Sequence, residues 1–253
     1  MHLPVLQKEV LQYLDPEPNE HFIDCNFGEG GHASAILEKI SPRGKILGID
    51  WSAELIKKNK VGHNLILVCD NFVNLKEIVK EKKFEKVSGI LFDLGYASWH
   101  LAESDRGFSF QKKEPLDMRY SLENQLTAEK ILNYWSKFDI EKILREYGEE
   151  KFAEKIAENI IEERKVRIIK NTFQLAEIIK KSMRGRQKIH PATRTFQALR
   201  IAVNDELNNL NKVLPQALEI LQSNGILAVI SFHSLEDRIV KNFLKQESDR
   251  LAL

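Results

Sequence analysis

The chain has 253 residues, of which 43% are hydrophobic and 30% charged, a balance that suits a globular core under a soluble surface and either one large domain or a domain with an insert. No apolar run approaches the length of a membrane span and the N-terminus lacks a basic-then-apolar signal pattern, so no membrane partner is expected and cytoplasm is the default compartment. A net charge of +1 excludes a uniformly basic nucleic-acid binder.

The first apolar run, Phe22-Ile23, ends in Asp24 and opens a glycine-rich turn through Gly28, Gly30 and Gly31 to His32. Bare backbone there lets a ligand approach the main chain, and a helix is predicted to follow over residues 33–40. The second strand, residues 45–49, ends in Asp50, about 20 residues past the loop, where an acid can bind a ribose diol. A nucleoside cofactor follows from these two features. Because Gly28-x-Gly30-x-x-Ala33 also fits the dinucleotide fingerprint, NAD stays open at this point. The third strand, residues 64–69, ends in Asp70, and the fourth, residues 87–92, ends in Asp93-Leu94-Gly95. Four acids at four strand ends would repel a pyrophosphate but attract the ammonium and sulfonium of S-adenosylmethionine. The pattern favours S-adenosylmethionine over NAD.

Helices predicted at residues 53–58 and 73–82 complete a βαβ alternation and therefore a parallel sheet. With the second strand between the first and third, Cys25 and Cys69 lie about two strand spacings apart, too far for a disulfide, and read as small buried residues. Residues 95–120 carry no sustained period, and a loop that long is usually functional. Residues 127–181 read as all helix from Ile131/Leu132/Trp135, Ile140/Ile143/Leu144/Tyr147 and Phe152/Ile156/Ile160, with Asp139 and Thr172 as expected N-caps. Residues 191–214 are helical again, residues 225–230 return as a buried strand, and a last helix starts near Leu235. The fold expected is α/β, a Rossmann-like sheet interrupted after its fourth strand. Residues 1–103 and 205–253 would form the sheet domain and residues 104–204 an inserted helical domain.

Asp93 and the Leu94 carbonyl are placed to accept N–H bonds from an exocyclic amine and to take its proton, or Asp93 simply contacts the cofactor. His233 follows the fifth strand and is expected to face the same cleft as a base or a substrate contact, whereas Ser234 with Asp237 suits a helix cap. Neither cysteine lies where methylation of a pyrimidine carbon would need a nucleophile, and no zinc-binding spacing occurs. Lys180, Lys181, Arg184, Arg186, Lys188, Arg194 and Arg200 stand in a stretch without acids, either a phosphate-tracking patch or a solvated helix face.

Four segments together resemble the bacterial small-subunit ribosomal RNA methyltransferase H family, also called MraW. They are His2-Leu3-Pro4-Val5-Leu6 with Glu9-Val10, the glycine loop ending in Gly30-Gly31-His32, Arg106-Gly107-Phe108-Ser109-Phe110 followed by Pro115-Leu116-Asp117-Met118-Arg119, and the run from His190-Pro191-Ala192-Thr193-Arg194 to Asn204. The Ser231–Lys241 segment is similar too, so the likeness spans nearly the whole chain. It implies a class I methyltransferase sheet and transfer of a methyl group from S-adenosylmethionine to the N4 amine of a cytidine in the decoding region of 16S rRNA. By matching positions, Gly30, Gly31, His32, Asp50, Phe72, Asp93 and His100 would contact the cofactor, although His100 stands where the family commonly has glutamine. Asp93 and His233 would carry the catalysis. Arg186, Lys188, His190, Arg194, Arg200, Asn204 and Ser231 would meet the RNA of the small subunit. Further departures are Glu29, Trp51-Ser52, Tyr96-Ala97 and Glu114, none of which removes a residue the mechanism needs. The family continues past the last helix into a basic tail where this sequence stops at Leu253, so a shortened sheet and weakened RNA affinity are expected. A homodimer is compatible with the sequence. A noncatalytic RNA-binding protein on the same fold is the remaining alternative, carried by the basic segment.

Overall fold

The computed structural model describes residues 4–59, 62–183 and 189–251. The chain begins with a helix the sequence reading did not foresee, α1 (Gln7–Leu14), which buries Val10 and Leu14. Leu6 and Asp15 bound it with left-handed backbone, and no side chain caps its start. It is held by packing rather than by its own ends, since so short a helix is marginal alone.

The βαβ alternation then follows as β1 (His21–Asp24), α2 (Gly31–Ile40), β2 (Lys45–Asp50), α3 (Ala53–Lys58) and β3 (Leu65–Cys69). After it come a 3₁₀ turn (Phe72–Asn74), α4 (Leu75–Lys82) and β4 (Val87–Asp93). The six-residue α3 persists because Leu55 is fully buried and the Ser52 hydroxyl accepts the Leu55 N–H. A run of helices comes next: α5 (Ser98–Ala102), α6 (Ala128–Tyr134), α7 (Lys137–Glu146), α8 (Ala153–Val166), α9 (Thr172–Ser182) and α10 (Ala192–Asn204). Then α11 (Glu206–Ile220), β5 (Leu221–Ile230) and α12 (Ser234–Leu251) close the chain.

All strand pairs are parallel, in the order β3-β2-β1-β4-β5. Alternate residues supply two cores. Ile23, Leu47, Ile49, Ile90 and Phe92 join side chains of α4, α11 and α12 on one face, while Phe22, Ile46 and Leu91 join α1 and α2 on the other. Burying each such side chain contributes roughly 1.5–3 kcal/mol. The register puts Asp24 beside Gly48 and Leu91, Asp50 beside Cys69 and Asp93 beside Ile230, so the strand-end acids stand along one edge of the sheet. The order in which strands are added reverses between β1 and β4, and open parallel sheets bind ligands at such a point.

The chain divides into two compact units, Met1–Ala97 with Leu207–Leu253, and Ser98–Glu206. The second has its own core, in which Leu132, Ile140, Leu144, Ile156, Ile160, Leu175 and Leu199 are fully buried. No helix among the described residues is long and apolar enough to cross a membrane.

Several expectations need correcting. The fifth strand is longer than expected and only partly buried, with Gln222, Ser223, Asn224 and Ile226 exposed, because it pairs with β4 alone among the described residues. Cys25 is buried but Cys69, at the far end of β3, is exposed. Ser136, not Asp139, caps α7 by accepting the Asp139 N–H at 3.1 Å. Asn171, not Thr172, caps α9 in a reciprocal box with Gln174.

Candidate active site at the strand ends

Between β1 and α2 the backbone takes left-handed turns at Gly28 (φ 56°) and Gly30 (φ 77°). A Cβ on Gly30 would sit 2.7 Å from the Phe27 ring, so both backbone angle and space require glycine there. The loop is tied to β2 by Asp50, whose Oδ2 accepts the Gly28 N–H and whose Oδ1 accepts the Ser52 N–H, each at 2.8 Å. The Asn59 side-chain amide also donates a hydrogen bond to the Gly28 carbonyl at 3.3 Å. The sequence marked Asp50 for a ligand and left its anchoring of the loop unseen. Each carboxylate oxygen keeps a second lone pair for a hydroxyl donor. Burial pushes the Asp50 carboxyl up to about 6 against those two N–H bonds.

Asp24, at the end of β1, is 2% exposed. Burial pushes its carboxyl up to about 7, with Asp93 and Asp50 adding to the rise and His32 and the Asn26 N–H opposing it. His32, the second residue of α2, is also buried, and its Nε2 lies 3.6 Å from Asp93 Oδ2. Neither ring nitrogen of His32 has a hydrogen bond, nor does the buried Oδ1 of Asp93. Buried polar atoms left without partners cost free energy, and a site awaiting a ligand explains them. Three carboxyls crowded at strand ends, with orphaned acceptors among them, fit a cationic ligand and disfavour an anionic one.

The neighbouring loops frame this group. Asp70 Oδ1 accepts the Asn71 N–H at 2.6 Å and the Asn74 amide at 3.0 Å, which shapes the turn where Phe72 lies edge-on to Phe92 at 5.7 Å. After Asp93, the Leu94 N–H bonds the Ile230 carbonyl at 3.1 Å and Gly95 turns at φ 93°. Partly buried Ser231 leads from β5 into the start of α12. There His233 forms the cap, its Nδ1 accepting the Glu236 N–H at 3.4 Å while Glu236 Oε2 accepts the Phe232 N–H at 2.9 Å. His233 Nε2 stands 3.2 Å from Glu236 Oε1. The capping reading of Ser234 is thereby corrected: His233 supplies the cap and Ser234 is the first helical residue.

Within the helical unit the sequence-marked residues divide. His100 is buried in an aromatic cluster with Trp99, Phe108 and Tyr120, at ring distances of 5.0–5.3 Å. Arg200 makes a bidentate pair with Glu206, both bonds 2.8 Å, with little of either side chain exposed. Buried Asn204 donates to the Met118 and Arg200 carbonyls and accepts the Tyr120 N–H at 2.9 Å. Arg194 bonds the Glu149 carbonyl at 3.1 Å and stays partly exposed. His190 is exposed and stacks on Phe110. Arg184, Arg186 and Lys188 lie outside the described residues.

The family model described as "MraW methylase family" matches residues 1–253. The ribosomal RNA small subunit methyltransferase H of Dehalococcoides mccartyi is 46% identical over 253 residues, covering 98% of this chain and 72% of its own. That of Thermosipho melanesiensis is 44% identical over 256 residues, covering 98% of this chain and 87% of its own. A solved structure of Aeropyrum pernix fibrillarin with natively bound S-adenosyl-L-methionine aligns over 32% of this chain and 36% of that one, at 19% identity and a TM-score of 0.28, too slight a likeness to argue from.

Proposed function

The chain belongs to the MraW methylase family, and from that membership we propose that it methylates the exocyclic N4 amine of a cytidine in the decoding region of 16S rRNA. The methyl donor is S-adenosylmethionine. The observation that carries the reading is the group of buried Asp24 and half-buried Asp93 at the ends of β1 and β4 with buried His32 of α2, rich in carboxyls and with His32 and Asp93 Oδ1 short of partners.

Bound S-adenosylmethionine supplies an electrophilic methyl on a sulfonium centre. The glycine loop and Asp50 would hold its nucleoside part, with Phe72 beside it. Asp24 and Asp93 supply negative charge toward the cation. The lone pair of a cytosine N4 amine is delocalised into its ring and is a weak nucleophile. Asp93 and the Leu94 carbonyl accept its N–H bonds, turn the lone pair toward the methyl carbon, and Asp93 takes the proton released as the N–C bond forms. The donor methyl would leave as the carbon–sulfur bond is replaced by the carbon–nitrogen bond, turning the sulfonium into a neutral thioether, so charge would balance through the one amine proton that Asp93 accepts.

His190, Arg194 and Ser231 are proposed as contacts to the RNA, joined by Arg186 and Lys188. Arg200 and Asn204 instead shape the helical unit that presents them, and His233 sets the entrance to α12. The proposed assignment of residues 104–204 as a substrate-recognition domain rests on these roles. The test is incubation with labelled S-adenosylmethionine and small ribosomal subunits lacking the modification, followed by nucleoside analysis of the 16S rRNA. Label in N4-methylcytidine is expected; label in another nucleoside, or none, rejects the assignment.

A further inference from the structure

We propose that the stacked rings of Phe110 and His190 form a platform on which a nucleobase of the bound RNA stacks. The proposal rests on RNA being the substrate. The two ring centroids are 4.2 Å apart and the planes 5° from parallel. Phe110 packs against the helical core and meets Phe196 edge-on at 5.4 Å, and Phe196 is itself buried. The lower ring of the stack is therefore fixed by the core.

The upper ring is fixed as well. His190 Nδ1 accepts the Ala192 N–H at 3.2 Å and its carbonyl accepts the Thr193 N–H at 3.0 Å. That bonding leaves the hydrogen on Nε2, so the neutral ring presents a donor edge. Phe110 covers one face of the imidazole, yet the residue as a whole is exposed. An immobilised, exposed ring adds little to the core and costs side-chain entropy, whereas it saves that cost when another flat ring lands on it. Single-stranded nucleic acids bind on such aromatic platforms flanked by cations. Cations stand close by in the sequence: Lys112 and Lys113 follow two and three residues after Phe110 and are exposed, with Lys112 donating to the Ala102 carbonyl, and Arg194 comes four residues after His190. The one acid between Phe110 and Pro115, Glu114, is buried and accepts the Gly107 N–H at 2.8 Å, so it does not oppose a phosphate at the surface. The Arg106–Phe110 segment thus does two things: its glycine locks the loop, and its last ring reaches the surface.

The experiment titrates short single-stranded RNAs carrying 2-aminopurine at successive positions with the full chain and with His190→Ala, His190→Phe and Phe110→Leu. The full chain is expected to quench the fluorescence of at least one position as the analogue stacks. His190→Ala should lose that quenching and bind about tenfold more weakly, His190→Phe should stay within about threefold, and Phe110→Leu should fall between. S-adenosylmethionine affinity measured on each variant should match the full chain, which separates loss of the platform from loss of the fold. Absence of quenching by the full chain, or equal binding and quenching by His190→Ala, overturns the platform. Quenching without methyl transfer to small subunits keeps the platform and rejects the functional reading; transfer without quenching does the reverse.

Discussion

The groups around the end of β4 and the arginines of the helical unit use their polar side chains in opposite ways. Around the end of β4, His32 is buried and Asp93 half-buried, and both ring nitrogens of the one and the buried Oδ1 of the other keep bonding capacity unspent. In the helical unit, the charged groups of the most distinctive motifs are consumed by the framework. Arg119 pairs with Asp117 through two bonds and donates to the Leu122 and Asn124 carbonyls. Arg106 bonds the Arg119 and Tyr120 carbonyls, and Arg200 is spent on Glu206. Gly107 is fixed as glycine, since a Cβ there would lie 2.2 Å from the Pro115 carbonyl oxygen. His32 and Asp93 keep bonding capacity, while Arg106, Arg119 and Arg200 build the scaffold.

Substitutions can break or sharpen that contrast. The largest effect is expected for Asp93→Ala, which should lower methyl transfer about a thousandfold with little change in Tm; near-normal turnover would refute the proton-acceptor assignment. Arg200→Met should act on stability, since it leaves the largely covered Glu206 carboxylate with the Tyr120 hydroxyl in place of a cation, a loss of up to roughly 3–5 kcal/mol. Thermal unfolding should show it while S-adenosylmethionine affinity stays unchanged. An unaltered Tm together with weaker RNA binding would return Arg200 to the RNA surface.

A pH effect follows from Asp24. Its carboxyl is raised from 3.8 to about 7 by burial, so between those values the folded chain binds the proton more tightly than the unfolded one. The ligand-free protein therefore loses stability as pH rises through that window. Asp24→Asn removes the loss, and its gain in Tm should be several degrees larger at pH 8 than at pH 5. An equal shift at both would show that Asp24 does not hold its proton. The smallest effect is expected for Gly30→Ala, which should weaken S-adenosylmethionine binding about tenfold by calorimetry, through backbone strain and the contact with Phe27.

The parts of the fold set by local pattern were legible in the chain. Strands β1 to β4, their terminal acids and the glycine loop follow from short continuous apolar runs and turn chemistry, and the observed elements match them within a few residues. What depends on neighbours was not. The partial exposure of β5 follows from its place at the sheet edge, which its apolar run does not record. The partner of Arg200 hid because Glu206 lies six residues on, past the i+4 reach of one helix; Asp205, at φ 52°, breaks α10 and turns Glu206 back. His233 was marked by its strand-end position, and only the structure gives its cap to Glu236. Helix α1 escaped notice because it has no capping side chain and only eight residues.

The central claim is that the unspent groups at the strand ends carry the chemistry. Single-turnover transfer tests it most directly: wild type and Asp93→Asn, each loaded with labelled S-adenosylmethionine at a concentration saturating by calorimetry, are mixed with unmethylated small subunits. The account predicts that Asp93→Asn, which keeps the side-chain shape but loses the proton acceptor, still binds the donor and transfers at least a hundredfold more slowly. Transfer by Asp93→Asn at the wild-type rate would contradict it.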